Sequence, residues 1–510
     1  MRGGDLDLVR RRREESQVEL RKAKRSEIAA KRRALASLFT PHSDQPAFEF
    51  SSSIYHEKLS VPISILEEAK LSPHRKAQTA IGLLRSGNST DRPVALSTLR
   101  RILATEDTPI VAIANLGVVP LLLNVLRNEY EEEVVLESVW CLANLTAGPS
   151  EVIAKLVDLG GLLVLHQLLS HANTDIRDQA IWTLSNIAGD SVSHRDEVIS
   201  LGIEEILSNL LVSGKAKSSS SIEVIAWLLS NLCRGVPEPP TSVVSTALKL
   251  APGLFATEKA RIVATTCWML SCLTDNRAQE TVDAVLNSGV IGTLLKWVMR
   301  TEAEKVQIPA LRTLGNILTG DDSQAQVLLN LGLLQHLAAL IGSDKREVRR
   351  EVLWCFSNIT AGPEEQAMAV AKHNCVHSIV EALSDSDFGV KKEAVWTIAH
   401  LTRFLDCNIY DGMINSGVLE LMVRILDHQD AEILLLALES ISRLLTAHSR
   451  AAIPRFEALQ GFGRLEFLRD HSNIAVHEKA GELIREFTGQ WDLPDRMDLQ
   501  DPPETAFQFS

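Results

Sequence analysis

The chain has 510 residues, of which 45% are hydrophobic and only 5% aromatic, and its formal net charge is −13. No apolar stretch reaches the roughly 20 residues needed to cross a bilayer, so no membrane partner is predicted. No hydrophobic segment follows the basic N-terminus in the way that a secretory signal requires, so secretion is not expected either.

Charge is divided unevenly along the chain. Residues 1–35 hold 12 Lys and Arg against 6 Asp and Glu, whereas the remaining residues hold 40 against 59. An acidic body with a basic arm argues against nucleic acid as a direct ligand and favours basic partners. The seven cysteines lack metal-ligand spacing and are predicted to be reduced, buried thiols of a cytosolic or nuclear protein.

Four segments are predicted in chain order. Residues 1–36 form a basic arm with a helix-compatible composition, and residues 37–72 form a flexible linker with Ser and Pro. Helical patterning fills residues 73–490, and residues 491–510 form a mobile, Pro- and Asp-rich tail. Inside the helical segment, residues 214–221 are predicted to be a surface loop between helices.

A Trp followed four positions later by an Asn recurs through the helical segment. Successive Trp positions are 42, 45, 41, 44, 42 and 42 residues apart, and this period predicts a stacked array of armadillo or HEAT repeats. The pairs and their variants are Trp140/Asn144, Trp182/Asn186, Trp227/Asn231, Trp268/Cys272, Arg312/Asn316, Trp354/Asn358 and Trp396/His400. In the ninth repeat, Leu438 and Ser442 are predicted to occupy the Trp and Asn places.

Two series of glycines punctuate each repeat. A Gly seven or eight residues after the Trp position, as at Gly148, Gly189 and Gly362, is predicted to end a helix in the left-handed conformation. A second series, with Gly117 and Gly160 as its first members, precedes apolar runs and is predicted to mark a turn between helices. Two turns per period imply three helices per repeat, which favours armadillo over two-helix HEAT.

The repeated pair suggests a surface that binds an extended peptide. Residues four apart share a helix face, so stacked repeats would align the pairs into one stripe. The Asn amide can donate and accept hydrogen bonds to a peptide backbone. Neighbouring indoles could hold Lys or Arg stems, with cation–π attraction of roughly 0.5–2 kcal/mol each. A single such pair is more often core, but repetition at one phase favours a binding stripe.

The motifs ESVWCLANLTAG, WTLSNIAGDS, WLLSNLCRG, ALRTLGNILTGDD, LWCFSNITAG and KKEAVWTIAHLT resemble those of the importin-alpha family of nuclear-import adaptors. The resemblance covers nearly the whole chain. It implies an all-α fold, a right-handed superhelical solenoid of about ten armadillo repeats with a basic, partly disordered N-terminal arm.

In this family two sites on the concave groove bind basic nuclear localisation signals. By motif match, the resemblance places the major site at Trp140, Asn144, Gln179, Trp182, Asn186, Asp190, Trp227 and Asn231. It places the minor site at Arg312, Asn316, Glu351, Trp354, Asn358, Glu393 and Trp396. Three positions depart from the family pattern, namely His400 in place of Asn, Cys272 in place of an aromatic hydroxyl, and Thr265 in place of an acidic residue.

The basic arm resembles the importin-beta-binding segment of the family. The matching residues are Arg10, Arg11, Arg12, Arg13, Leu20, Arg21, Lys22, Lys24, Arg25, Lys31, Arg32 and Arg33. Taken alone, such a stretch is more often a nucleic-acid or nuclear-localisation patch. The resemblance implies that the arm binds importin beta and, when free, occupies the acidic groove and autoinhibits the protein.

The predicted function is therefore a nuclear import adaptor that carries mono- and bipartite basic cargo and shuttles between cytoplasm and nucleus. The last repeat resembles the part of the family that binds a CAS-type export receptor. The alternative is an armadillo scaffold that binds other extended peptides. An enzyme is not expected, since the chain shows no P-loop, GxSxG or HExxH motif, and no cofactor or metal is predicted.

Overall fold

The computed structural model describes residues 72–86, 89–105, 108–275, 277–300, 303–404, 412–447 and 449–488. Within these ranges the chain forms α-helices joined by short connections, and no residue there lies in a β-strand. The all-α prediction is therefore confirmed for the described residues. The predicted arm, all but the last residue of the predicted linker, and the predicted tail lie outside these ranges.

The chain divides into two compact units, residues 1–317 and 318–510. The helices of the first unit are Pro73–Ser86, Arg92–Leu103, Ile110–Asn115, Val118–Asn128, Glu132–Thr146, Ser150–Asp158, Gly161–Leu168, Thr174–Asp190, Val192–Ile199, Ile203–Val212, Ser219–Leu232, Thr241–Phe255, Ala260–Thr274, Gln279–Asn287, Ile291–Val298 and Glu304–Leu318, the last of which ends one residue beyond the unit. Those of the second unit are Asp322–Asn330, Leu333–Leu340, Arg346–Thr360, Glu364–Ala371, Val376–Glu381, Phe388–Leu401, Val418–Ile425, Ala431–Ala447, Ser449–Ala458, Gly461–Leu468 and Ile474–Thr488.

Most repeats contain three helices, as the two series of glycines predict, but in the fifth repeat a single helix, Thr241–Phe255, precedes Ala260–Thr274. Ser150–Asp158, Gly161–Leu168 and Thr174–Asp190 make up one such repeat. In nine repeats the last helix carries the Trp and Asn positions or their equivalents, and we call these the ladder helices. They are Arg92–Leu103, Glu132–Thr146, Thr174–Asp190, Ser219–Leu232, Ala260–Thr274, Glu304–Leu318, Arg346–Thr360, Phe388–Leu401 and Ala431–Ala447.

The second series of glycines marks the turn between the first two helices of a repeat. Gly160, for example, has a φ of 75° and directly precedes the helix Gly161–Leu168. A positive φ is also found at Gly117, Gly202, Gly289, Gly332 and Gly417. The left-handed conformation at these turns costs an L-residue about 1–2 kcal/mol, which explains the choice of glycine.

The prediction for the first series of glycines is wrong at three positions. Gly148, Gly189 and Gly362 do not have a positive φ, although Gly235 does. Close packing explains these glycines better, because a Cβ on Gly148 would lie 2.9 Å from the Ile110 side chain. A Cβ on Gly189 would lie 3.1 Å from a side-chain nitrogen in the next ladder helix.

The ladder helices form much of the core within each unit. In Thr174–Asp190, the side chains of Ile176, Ile181, Leu184 and Ile187 are fully buried. Burial of each such side chain contributes about 1.5–3 kcal/mol. This helix packs between the neighbouring ladder helices Glu132–Thr146 and Ser219–Leu232. The array is therefore held together repeat by repeat.

The cysteines lie in this apolar interior. Of the six in the described ranges, all but Cys272 are buried, as predicted. Burial raises the pKa of the Cys375 thiol to about 11, so this thiol is protonated near neutral pH. The part of the chain that the structure covers offers no cluster of His, Cys, Asp and Glu that could hold a metal ion. None of its helices is both long and apolar enough to span a membrane.

Candidate peptide-binding surface

All residues of the predicted major site lie in the first unit, on three consecutive ladder helices. Trp140, Trp182 and Trp227 are each partly exposed. The adjacent Gln179 and Asn231 are buried, with exposed fractions of 5% and 2%. The indoles therefore have surface available for a ligand, whereas part of the polar set belongs to the interior.

Four of the ladder Asn residues bond to the preceding repeat. In each of these four the amide Nδ2 donates to a backbone carbonyl of the ladder helix before it. These bonds are Asn144 to Arg100 at 3.2 Å, Asn186 to Ala143 at 3.2 Å, Asn231 to Ser185 at 2.9 Å and Asn316 to Ser271 at 3.1 Å. We call this contact the inter-repeat bond.

The sequence predicts that these Asn residues bind cargo. The inter-repeat bond shows that they also have a structural role. A carboxamide carries two N–H donors and one acceptor oxygen, so this bond uses only part of its capacity. Asn144 and Asn186 are partly exposed, so each can hold two repeats in register and still contact a peptide. Asn231 and Asn316 are buried, with exposed fractions of 2% and 8%, and the inter-repeat bond is their observed contact.

Asp190 is the last residue of its ladder helix and lies two turns after Trp182. One of its carboxylate oxygens accepts from the Ser150 hydroxyl at 2.8 Å and lies 2.8 Å from His194 Nδ1. The side chain keeps an exposed fraction of 13%. The carboxylate is thus fixed in position two turns along the helix from Trp182, and its negative charge can attract a cation.

The predicted minor-site residues are divided between the two units. Arg312 and Asn316 lie in the first unit, and the other residues lie on two ladder helices of the second. Glu351, Trp354, Asn358 and Glu393 are buried, whereas Trp396 is partly exposed. The Ser357 hydroxyl lies 3.2 Å from a carboxylate oxygen of Glu393.

The departures from the family pattern have distinct local environments. His400 Nδ1 lies 3.0 Å from the Ser357 carbonyl, so this nitrogen carries a proton and makes the inter-repeat bond in place of an amide. The Thr265 hydroxyl donates to a carbonyl of its own helix, at Arg261. Cys272 is only partly buried, but desolvation raises the pKa of its thiol to about 11, so the thiol stays neutral.

The prediction for the ninth repeat is wrong by one residue. Leu438 is fully buried in the core, and the inter-repeat bond is made by Arg443, whose Nη1 donates to the Ala399 carbonyl at 3.1 Å. Glu439 and Arg443 therefore occupy the Trp and Asn places, and they form an ion pair at 3.1 Å. A repeat length of 43 residues between Trp396 and Glu439, rather than 42, accounts for the shift.

Two residues of this surface were missed by the sequence analysis. The Arg100 guanidinium lies 4.4 Å from the centroid of the Trp140 ring, and its Nε lies 2.6 Å from a carboxylate oxygen of Glu137. A signal for Glu137 was present, because it stands three residues before Trp140. Glu351 and Glu393 have the same spacing from Trp354 and Trp396.

Comparison with known families defines the class of protein. A family described as "Importin beta binding domain" matches residues 2–79, which contain the predicted arm and linker and extend into the first helix. A family described as "Armadillo/beta-catenin-like repeat" matches residues 106–147, 149–189, 321–361 and 363–403. Each of these four matches ends within two residues of the end of a ladder helix. The chain is therefore an armadillo-repeat protein with an importin-beta-binding domain.

The relatives identify the family. Importin subunit alpha-3 of Arabidopsis thaliana is 30% identical over 519 residues, which cover 99% of this chain and 94% of that protein. Importin subunit alpha-1b of Oryza sativa subsp. japonica is 35% identical over 274 residues, which cover 53% of this chain and 50% of that protein. The chain thus matches only half the length of the rice protein. The chain belongs to the importin subunit alpha family, as its motifs predict, and it is a transport adaptor rather than an enzyme.

A solved structure supports the fold alone. The crystal structure of an engineered protein from the Northeast Structural Genomics Consortium aligns with a TM-score of 0.72 and 23% identity. The alignment covers 82% of this chain and 99% of that one.

Proposed function

We propose that this chain is a nuclear import adaptor that binds mono- and bipartite basic nuclear localisation signals and links them to importin beta. One observation carries the cargo role. Three Trp/Asn pairs in the first unit lie on consecutive ladder helices, and each Asn is anchored to the repeat before it. An extended peptide could then find a partly exposed indole at each of these repeats and a partly exposed amide at the first two.

Recognition of lysine and arginine would rest on aromatic faces and fixed carboxylates. Partly exposed indoles at Trp140, Trp182 and Trp227 attract a cation through the ring quadrupole. Asp190, held by Ser150 and His194, supplies negative charge beside this row. The surplus of 59 acidic over 40 basic residues outside the arm attracts basic ligands at longer range.

A second basic cluster would use the ladder of the second unit. Glu351 and Glu393 stand three residues before Trp354 and Trp396, so each carboxylate and indole share a helix face. Arg312 and Asn316 join this set by motif match. Membership of the importin subunit alpha family supports binding of a bipartite signal, whose second cluster would use the second-unit ladder.

The N-terminal arm would link cargo to importin beta and regulate cargo binding. The importin-beta-binding domain matched at residues 2–79 supports the first role. We propose in addition that the Lys31–Arg33 cluster competes with cargo for the first-unit ladder and so autoinhibits the protein. After cargo release, a CAS-type export receptor would bind the last repeat and return the chain to the cytoplasm. The protein would thus shuttle between nucleus and cytoplasm.

The test is binding of a fluorescent basic signal peptide with one cluster to the double variant Trp182→Ala/Asn186→Ala. We expect affinity to fall more than tenfold, because one indole face and one amide are lost together. The matched control is Tyr130→Ala/Asn209→Ala, which removes an exposed ring and an exposed amide outside the ladder. Circular dichroism verifies that both variants fold. Equal affinity of the two variants would reject the site and favour an armadillo scaffold for other peptides.

A further inference from the structure

The position directly before the Asn place carries a small side chain in every ladder helix but the first. The small residues are Ala143, Ser185, Ser230, Ser271, Gly315, Ser357, Ala399 and Ser442. In the first repeat this position is Arg100. The register is set by the inter-repeat bonds, since Asn144 donates to the carbonyl of Arg100 as Asn186 donates to that of Ala143.

Arg100 uses its long side chain to reach the first indole of the ladder. Its guanidinium lies over the Trp140 ring at 4.4 Å from the centroid, on the side of the first repeat. Its Nε is also paired with Glu137 at 2.6 Å. The side chains of Arg100 and Glu137 keep exposed fractions of only 20% and 13%, so the pair is largely shielded from solvent.

This arrangement has the chemistry expected of a filled cation subsite. An aromatic face and a carboxylate three residues earlier on the same helix are also the elements proposed to take a cargo lysine at Trp354 and Trp396. At Trp140 the chain supplies the cation itself. The side chain of Arg100 is not needed for the inter-repeat bond, because its backbone carbonyl is the acceptor.

We propose that Arg100 is a specificity-determining residue that fills this subsite and so limits how many consecutive basic residues the first-unit ladder accepts. The inference rests on the proposed function. A peptide lysine that extends toward the first repeat meets the guanidinium instead of an open indole face. A further basic residue therefore adds little affinity, and the length of the preferred basic cluster is set by the protein.

The experiment compares two synthetic peptides, with four and with five consecutive lysines between alanine flanks, by fluorescence anisotropy on the full chain. The variants are Arg100→Ala and Arg100→Gln, the second of which keeps most of the side-chain volume. Arg101→Ala is the matched control, because it removes the same charge from an exposed neighbouring side chain. Competition from the arm lowers the apparent affinity of both peptides by the same factor, so the ratio of the two affinities does not depend on the arm.

In the wild type and in Arg101→Ala, the fifth lysine should raise affinity less than about twofold, which matches the statistical gain from an extra binding register. In Arg100→Ala and Arg100→Gln it should raise affinity about fivefold or more, because Glu137 and the Trp140 face then accept it. A ratio in both Arg100 variants equal to that of Arg101→Ala would overturn the proposal while leaving the proposed function intact. Failure of the wild type to bind either peptide would reject the proposed function itself, and this inference with it.

Discussion

The inter-repeat bond is made by different groups in the two units. In the first unit the donors are the carboxamides of Asn144, Asn186, Asn231 and Asn316, whereas His400 and Arg443 donate in the second. Every one of these donors reaches a carbonyl of the preceding ladder helix. The bond thus requires an N–H of suitable reach and tolerates changes in the group that carries it.

The choice of donor sets the charge on this face of the helix. An amide is neutral at every pH, an imidazole can titrate, and a guanidinium is permanently positive. The first-unit ladder therefore presents neutral donors beside Asp190, which suits a cationic peptide. The ladder of the second unit ends instead in the Glu439–Arg443 ion pair, where the Trp and Asn places are both charged.

The largest effect is expected from breaking the inter-repeat bond in the first unit. Asn231→Leu keeps the approximate volume but removes the donor that reaches both the carbonyl and the hydroxyl of Ser185. We expect the free energy of unfolding to fall by about 2 kcal/mol, because two buried hydrogen bonds worth about 1 kcal/mol each are lost. His400→Asn, which exchanges one N–H donor for another, should cost less than about 1 kcal/mol. Urea denaturation measures both losses. If the two were equal, the presence of an N–H donor would not matter more than the chemical group that carries it.

Deletion of residues 1–36 tests whether the arm competes with cargo for the first-unit ladder. The tethered cluster has an effective concentration of about 1 mM, and we take its intrinsic dissociation constant as about 0.1 mM. Competition by this cluster then lowers the apparent affinity of a peptide about tenfold. We therefore expect the deletion to raise affinity for a basic signal peptide about tenfold. The gain should disappear in the Trp182→Ala/Asn186→Ala background. Equal affinity of full-length and truncated chains would reject autoinhibition.

A smaller effect is expected from a second contact between the ladder helices that Asn231 joins. Buried Asp178 accepts from the Ser221 hydroxyl at 2.6 Å, and desolvation raises the pKa of its carboxyl to about 6 from 3.8. The folded state therefore keeps a proton that the unfolded state releases, and the free energy of unfolding falls as pH rises from about 4 to about 6.

Asp178→Asn removes this titration while keeping an acceptor for Ser221. We expect the variant to be more stable than the wild type at pH 7 by about 1 kcal/mol, because no buried charge remains. The free energy of unfolding of the variant should also no longer decrease between about pH 4 and about pH 6. Asp158→Asn, at an exposed helix end, is the control and should keep the fall. Parallel pH profiles for the wild type and Asp178→Asn would contradict the assignment.

Much of the fold could be predicted from the sequence because a repeat array is built from local rules. The spacing of the Trp positions set the period, and Gly160 and its equivalents marked a turn that favours glycine. The prediction failed where one residue type serves two purposes. Gly189 looks like a helix-ending glycine, yet it lies within a helix and makes room for Asn231 of the next repeat.

The sequence by itself determined the three-helix repeat, the ladder and the family, since these depend on periodicity and on motifs that are contiguous in the chain. Only the tertiary structure decided which atoms the ladder side chains contact in the neighbouring repeat. The Asn144–Arg100 bond joins residues 44 positions apart, and the contact of Arg100 with Trp140 spans 40. Such contacts depend on how one helix is seated against the next, and a shift of one residue, as at Arg443, changes which side chain makes them.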